Sequence, residues 1–79
     1  KFINLNNSED LSSLVVFERT MNGKSIYVVA NMSTGTQSFK NLGGYVPNEK
    51  DIYVSSKFKN KTGEFILPAF GYILFTVNN

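Results

Sequence analysis

The sequence predicts an all-β fold, an antiparallel β-sandwich or folded Greek-key sheet of about six to eight strands. Short runs of β-branched and aromatic residues recur between turn clusters at intervals of roughly 8 to 12 residues. No apolar stripe with helical spacing persists over the ten or so residues that a helix would need. The 79 residues are 42% hydrophobic, with seven phenylalanines and four tyrosines. We therefore expect one packed domain over residues 1–79.

The chain opens with a predicted strand at residues 2–5, FINL, and a polar turn at residues 6–10, NNSED. The strongest signal follows at residues 13–31, where two β-rich runs meet at Asn22-Gly23. Both of these residues tolerate positive φ, which a type I′ hairpin turn requires. With Asn22 and Gly23 at the centre of the turn, three pairs face each other across the hairpin: Val15 and Ala30, Val16 and Val29, and Phe17 and Val28.

Both faces of this hairpin are apolar, which is unusual for a strand pair in a small domain. We expect Phe17, Val28 and Ala30 to be buried in the domain core. The opposite face would then present a second apolar surface to a partner, made of Leu14, Val16, Tyr27 and Val29. Glu18 is expected to face Tyr27 across the hairpin.

The remaining elements are predicted from the same alternation and turn signals. The expected order is a short strand at residues 37–40, a turn at Gly43-Gly44, a loop at residues 45–50, a strand at residues 52–56, a turn at residues 60–63, a strand at residues 64–67, and a last strand at residues 70–77. Pro68 cannot donate to a β-ladder, so it should mark a bend or a bulge.

Composition excludes several classes of function. The chain has no cysteine and no histidine, so disulfides and thiolate or imidazole metal sites are absent, and we expect no metal and no cofactor. The net charge is only +2, and the alternating Lys57, Lys59 and Lys61 are more typical of a solvated edge strand than of a nucleic-acid interface. The longest apolar runs are far shorter than the roughly 20 residues of a membrane span.

Read in order, the chain contains KFINL, LVVFER, IYVVANMS, DIYVSSKF and LPAFGYILF. This series resembles the C-terminal β domain, domain C, of the α-amylase superfamily, glycoside hydrolase family 13. It is most similar to the oligo-1,6-glucosidase, α-glucosidase and maltogenic amylase branches. A strand ending at Arg19, a strand ending at Asn31 and the closing Leu67-Pro68-Ala69-Phe70 occupy matching places. Gly71 departs from the pattern, since many relatives carry glutamate there.

The resemblance implies a domain from a larger glycoside hydrolase, packed against the catalytic (β/α)₈ barrel of the same chain. The nucleophile, the acid/base and the calcium ligands of such enzymes lie upstream, so no catalytic, cofactor-binding or metal position carries over to this fragment. The fragment is then not itself an enzyme, although its parent hydrolyses α-glucosidic bonds. We expect a bacterial, cytoplasmic protein, with secretion as the alternative.

The chain's own acids and hydroxyls do not indicate catalysis. Glycoside hydrolysis usually needs two carboxyl groups about 5 to 9 Å apart in a cleft. The acids are scattered among turns and strand ends: Glu9, Asp10, Glu18, Glu49, Asp51 and Glu64. The serines at positions 12, 13, 55 and 56 have no histidine partner, and Gly43-Gly44 precedes no helix that could cradle a phosphate.

The alternative from another class is a carbohydrate-binding or adhesive β-sandwich module. Flat tyrosine rings and asparagine amides can engage an α-glucan oligosaccharide, and Tyr27, Tyr45, Tyr53 and Tyr72 are available. Tyr45, in the predicted loop, is the first candidate. The competing interpretation places these rings in the core. Three glycosylation sequons, at Asn6, Asn31 and Asn60, are close to the number expected by chance.

Overall fold

The computed structural model describes residues 14–78, and it confirms the all-β fold as two antiparallel sheets. Its elements in chain order are β1 Leu14–Met21, β2 Lys24–Asn31, β3 Gln37–Phe39, a one-turn 3₁₀ helix Glu49–Asp51, β4 Ile52–Ser55, β5 Lys59–Lys61, β6 Glu64–Leu67 and β7 Tyr72–Asn78. The strand predicted at residues 2–5 and the turn at residues 6–10 lie outside the described residues.

The chain crosses from one sheet to the other several times. One sheet has the order β1-β2-β7-β4, and the other has the order β3-β6-β5. The last strand, β7, lies between β2 and β4, so residues far apart in the sequence form the centre of the four-stranded sheet. Lysine-rich β5 is an edge strand whose three residues are all exposed, as the alternating lysines predict.

The β1-β2 hairpin has the predicted turn and register. Asn22 and Gly23 have φ angles of 51° and 77°, the left-handed conformations of a tight hairpin turn. Val15 pairs with Ala30 and Phe17 pairs with Val28. The register follows from the turn, because a two-residue loop makes Met21 and Lys24 the first pair and each later pair follows from it.

The face of the hairpin that enters the core is the opposite of the predicted one. Val16, Tyr27 and Val29 are buried, whereas Phe17 and Val28 are only half-buried. Ala30, also predicted to be buried, is half-buried too. The predicted facing was wrong because both faces are apolar, so hydrophobic alternation could not choose between them. The inward set fits because the two buried polar residues on that face, Ser25 and Asn31, have hydrogen-bond partners.

The core lies between the sheets and contains a cluster of aromatic rings. Phe65 of β6 meets Phe75 of β7 edge to face at 5.6 Å between ring centroids, and stacks on Phe39 of β3 at 5.5 Å. Such offset and edge-on pairs add stabilisation beyond the area that they bury. The other fully buried apolar side chains come from both sheets and one loop: Val16, Val29, Leu42, Leu67 and Ile73.

Pro68 marks a tight turn between β6 and β7, as predicted. The Gly71 amide donates to the Pro68 carbonyl at 2.9 Å, and Phe70 adopts a φ of 57°. This turn delays β7 to Tyr72, two residues after the predicted start. A Cβ on Gly71 would lie 3.0 Å from both Pro68 Cδ and Pro68 O, so close packing favours glycine at this position.

Candidate functional site

The most prominent surface is the side of the four-stranded sheet that faces away from the core, which we call the outer face. Its members alternate with the buried residues along each strand and follow the strand register: Val15, Phe17, Arg19 and Met21 of β1, Lys24, Ile26, Val28 and Ala30 of β2, Val54 of β4, and Tyr72, Leu74 and Thr76 of β7. The exposed fractions of Val15, Val54 and Tyr72 are 37%, 43% and 43%. An apolar surface of this kind is typical of an interaction site.

A β-bulge in β4 adds one more aromatic residue beside this surface. Ile52 pairs with Phe75 and Val54 pairs with Leu74, so Tyr53 is the extra residue between them. Tyr53 is 77% exposed. Bulges of this kind redirect side chains at sheet edges.

Charge on the outer face is confined to one end. Arg19 and Lys24 lie near the Asn22-Gly23 turn, and both side chains are exposed. No acidic residue of β1, β2, β4 or β7 occupies an outer-face position, because Glu18 belongs to the opposite face and its carboxylate accepts from the Tyr27 hydroxyl at 3.2 Å. The face is therefore apolar along most of its length and cationic at one end.

Each of the described acids considered for catalysis is hydrogen-bonded to a different side chain. Asp51 Oδ2 accepts the Tyr45 hydroxyl at 2.7 Å, and Glu49 Oε2 accepts Asn60 Nδ2 at 2.8 Å. Glu64 lies on the other sheet and accepts the Ser38 hydroxyl at 2.8 Å. Within residues 14–78, no cluster of three or more acidic residues could hold a metal ion. Glu9 and Asp10 lie outside the described residues.

The serine and glycine candidates have structural roles where they are described. Ser56 Oγ accepts the Tyr72 amide at 2.9 Å and so joins the end of β4 to β7. Gly43 and Gly44 have positive φ and form the turn between bridge partners Leu42 and Tyr45. Ser55 is half-buried in β4, and Ser12 and Ser13 lie outside the described residues.

The tyrosines separate into two groups. Tyr27 and Tyr45 stack at 4.6 Å with an interplanar angle of 11°, and Tyr45 also meets Phe75 edge-on at 5.9 Å. Burial, with a smaller effect of the hydrogen bond to Asp51, raises the pKa of Tyr45 well above its usual value. The structure therefore places Tyr45, the first candidate for sugar binding, against the core, whereas Tyr53 and Tyr72 are exposed.

Sequence reasoning missed the role of Asn31, the most heavily hydrogen-bonded side chain of the described residues. Asn31 is fully buried, and its Nδ2 donates to the carbonyls of Gly35 at 2.8 Å, Leu67 at 3.2 Å and Pro68 at 2.9 Å. Its Oδ1 accepts from the amide and the hydroxyl of Ser33. The signal in the sequence was an asparagine that ends an apolar strand two residues before a serine.

The two glycosylation sequons within the described residues differ in how accessible their asparagine is. The amide nitrogen of Asn31 is enclosed, so a glycosyltransferase cannot reach it without local unfolding. Asn60 is exposed at the turn end of β5. Asn6 lies outside the described residues.

A shallow groove of about 650 Å³ lies beside the segment that joins β4 to β5 and the strands β5 and β6. Phe58, Ile66 and Pro68 form its apolar lining, and Lys57 and Lys59 contribute charge. Phe58 stacks on Phe65 at 5.7 Å, so its ring is part of the packing of the three-stranded sheet. The groove has few polar groups that could fix the orientation of a ligand.

None of the helical structure in residues 14–78 has the length and apolarity that a membrane span requires. No protein-family model, no curated protein and no solved structure matches the chain significantly.

Proposed function

We propose that this chain is a non-catalytic β domain of an α-amylase-family enzyme, where it packs against and stabilises the (β/α)₈ barrel that hydrolyses α-glucans or α-glucosides. The observation that carries the proposal is the apolar outer face of the four-stranded sheet. A sheet normally buries both faces when it lies between two layers. The three-stranded sheet supplies one covering layer, and a barrel would supply the other.

The motifs that carry the resemblance also meet in space, which supports the proposal. The strand that ends in Asn31 and the closing segment that contains Leu67 and Pro68 are 36 and 37 residues apart, yet the Asn31 amide binds both carbonyls. The Asn31 amide also joins the two sheets, since Asn31 ends β2 and Leu67 ends β6. The two motifs are separate along the chain, but in the folded domain they are joined by direct hydrogen bonds.

Under this proposal the chain contributes stability and no reacting group. The nucleophile and the acid/base would come from the barrel, and this domain would carry no catalytic, cofactor-binding or metal-ligating residue. The parent enzyme would act in the cytoplasm.

The test is to identify the full-length gene product that contains this sequence and to assay it with p-nitrophenyl α-glucoside and with maltooligosaccharides. We expect an upstream barrel of roughly 250 residues or more with paired acidic catalytic residues and α-glucosidase activity. Removing residues 1–79 should lower the melting temperature of the remaining protein. A gene product made of tandem β modules without a barrel would refute the proposal.

A carbohydrate-binding module is the second candidate, and one observation favours it. Tyr53 and Tyr72 are both exposed, and they belong to the adjacent strands β4 and β7, so two exposed aromatic rings lie on neighbouring strands. A titration with maltooligosaccharides followed by backbone amide NMR shifts would test this function. Shifts confined to these two strands, and lost in Tyr53→Ala but not in Tyr45→Phe, would support sugar binding over barrel packing.

A further inference from the structure

We infer that the groove is a binding site for a small alkyl carboxylate, with the apolar chain on Ile66 and the carboxylate between Lys57 and Lys59. The site goes beyond the proposed function and does not depend on it. The groove is formed by the three-stranded sheet and its flanking segments, and none of its residues belongs to the outer face.

The groove lies where the ladder of the three-stranded sheet ends. Pro68 has no amide hydrogen to donate, and β6 ends at the residue before it, Leu67. The pairing of β5 with β6 stops at Lys59 and Ile66. The chain at residues 56–58 therefore passes the end of β6 without joining its ladder, and both segments line the groove.

The floor of the groove is apolar. Ile66 alternates with the buried Phe65 and Leu67, so its half-buried side chain lies on the side of the sheet that faces away from the core. Pro68 continues this floor, and the half-buried Phe58 is held beside it by stacking on Phe65 at 5.7 Å. The volume of about 650 Å³ lies within the range of roughly 300 to 1,000 Å³ that is typical of small-molecule sites.

The polar groups of the groove are mainly cationic. Lys57 and Lys59 are both exposed, and Lys59 pairs with Ile66, so its side chain starts beside the apolar floor. Within the described part of the chain, no hydrogen bond or ion pair engages either ammonium group. The Ser56 hydroxyl is already committed, because it bonds the amide and the carbonyl of Tyr72. The groove therefore offers two uncommitted positive charges.

The nearby acid does not neutralise these two lysines. Glu64 is the one acidic residue in the strands β3, β5 and β6. It lies opposite Lys61, and its carboxylate accepts the Ser38 hydroxyl at 2.8 Å. Lys59 has an isoleucine opposite it instead, and Lys57 lies beyond the paired residues. The positive charge at the groove is thus available to an anionic ligand.

These features select the chemistry of the ligand. An alkyl chain gains from burial on an apolar floor without needing directional partners, whereas a sugar ring would lose water from hydroxyl groups that find few partners there. Residues two apart have Cα atoms at most about 7 Å apart, so the flexible stems of Lys57 and Lys59 can both reach one carboxylate. An alkyl carboxylate matches both the floor and the charge.

The experiment uses the full-length gene product, with sodium octanoate below its micelle concentration as the probe. Lysines are acetylated with and without the probe, and peptide mass spectrometry gives the rate at each position. Millimolar octanoate should slow the acetylation of Lys57 and Lys59 at least about threefold, because an ammonium paired with a carboxylate is a poorer nucleophile. Lys61 is the matched control, since it lies on β5 outside the groove and should keep its rate.

Changes to the probe test the floor and the charge without altering the protein. Hexanoate lacks two methylene groups and should bind about fourfold more weakly if those groups are half-buried. Octylammonium carries the wrong charge and should give no protection. In saturation-transfer NMR of octanoate, Lys57→Gln combined with Lys59→Gln should weaken binding at least about fivefold, whereas Lys61→Gln should leave it unchanged.

Three outcomes would overturn the inference. Lys57 and Lys59 could react much more slowly than Lys61 even without octanoate, which would show that another part of the protein covers the groove. Acetate could protect them as strongly as octanoate, which would show a general attraction of anions with no role for the apolar floor. Octanoate could protect Lys61 equally, which would show that binding is not confined to the groove. Each outcome can be read whether or not the gene product contains a barrel.

Discussion

Replacing Asn31 tests whether one buried amide holds the two sheets together. Asn31→Ala removes the two hydrogen bonds that Asn31 Oδ1 accepts from Ser33. It also removes three donated hydrogen bonds, to the carbonyls of Gly35, Leu67 and Pro68, and these three set the minimum cost considered next. Two of these carbonyls keep another donor, since Gly35 O also accepts the Ser33 hydroxyl and Pro68 O also accepts the Gly71 amide. The cost should therefore lie near the lower value of about 1 kcal/mol for each bond, or about 3 kcal/mol in total.

That loss is large for a chain of this size. A domain of 79 residues is expected to have a free energy of unfolding of about 4 to 12 kcal/mol. Equilibrium urea unfolding followed by far-UV circular dichroism would measure the change as a lower midpoint with an unchanged slope. The matched control is Asn41→Ala, because the Asn41 side chain accepts one exposed bond, from the Gly44 amide at 2.9 Å. It should cost less than about 1 kcal/mol.

Asn31→Asp separates the loss of the donor from the loss of volume. The carboxylate keeps the size of the amide and can still accept from Ser33, but it faces carbonyl oxygens without a proton to donate. Burial raises the pKa of such an acid in the folded state, so its penalty should grow as pH rises and shrink as pH falls. A cost below about 1 kcal/mol for Asn31→Ala, or an aspartate variant whose penalty grows on acidification, would refute the reasoning.

Three further predictions concern the core, the tyrosine pair and the β6-β7 turn. Phe65→Ala should lower the free energy of unfolding of the isolated chain by about 3 to 5 kcal/mol, measured by urea unfolding. Phe17→Ala should lower it clearly less, because Phe65 is fully buried and Phe17 is only half-buried. Equal losses in the two variants would contradict the observed facing of the hairpin. The raised pKa of Tyr45 means that the folded state loses stability as pH rises above about 10, and Tyr45→Phe should reduce this alkaline loss relative to the parent in melting curves. An identical pH dependence of the melting temperature in Tyr45→Phe and in the parent would show that Tyr45 does not contribute to the alkaline loss of stability. Gly71→Ala should lower the free energy of unfolding by about 1 to 3 kcal/mol, because the added Cβ would meet the Pro68 ring and carbonyl. Each kcal/mol corresponds to a fall of about 4 to 8 °C in the melting temperature. An unchanged melting temperature would contradict the close packing.

The strand β5, Lys59–Lys61, overlaps the turn predicted at residues 60–63. Local chemistry was sufficient to predict the other described strands, the hairpin register and the bend at Pro68. These features depend on neighbouring residues: Asn22 and Gly23 set the turn, and the turn sets the pairing. The position of β7 between β2 and β4 was not predictable from such signals, because strand order depends on contacts between distant parts of the chain.

The facing of the hairpin failed for a different reason. Alternation with a period of two defines two faces, but only a difference in polarity tells which one is buried. Here the large apolar Phe17 favoured one face, whereas the face that is buried contains Ser25 and Asn31. Those polar residues are tolerated because Ser25 contacts Thr20 and Asn31 binds the carbonyls at the end of β6. The partners of Asn31 come from a distant strand, so they are invisible to a pattern read along one hairpin.

The corrected facing changes what the outer face means for function. Phe17, Val28 and Ala30 were expected to form the core, and the structure instead places them where a second layer would cover them. They are not part of the buried core between the two sheets, which contains Phe65 and Phe75. A hairpin that is apolar on both faces fits the centre of three layers better than the edge of two. If the proposed docking is correct, Phe17→Ala should therefore destabilise the full-length protein more than it destabilises the isolated chain, and a cost that is the same in both settings would show that the outer face has no covering layer.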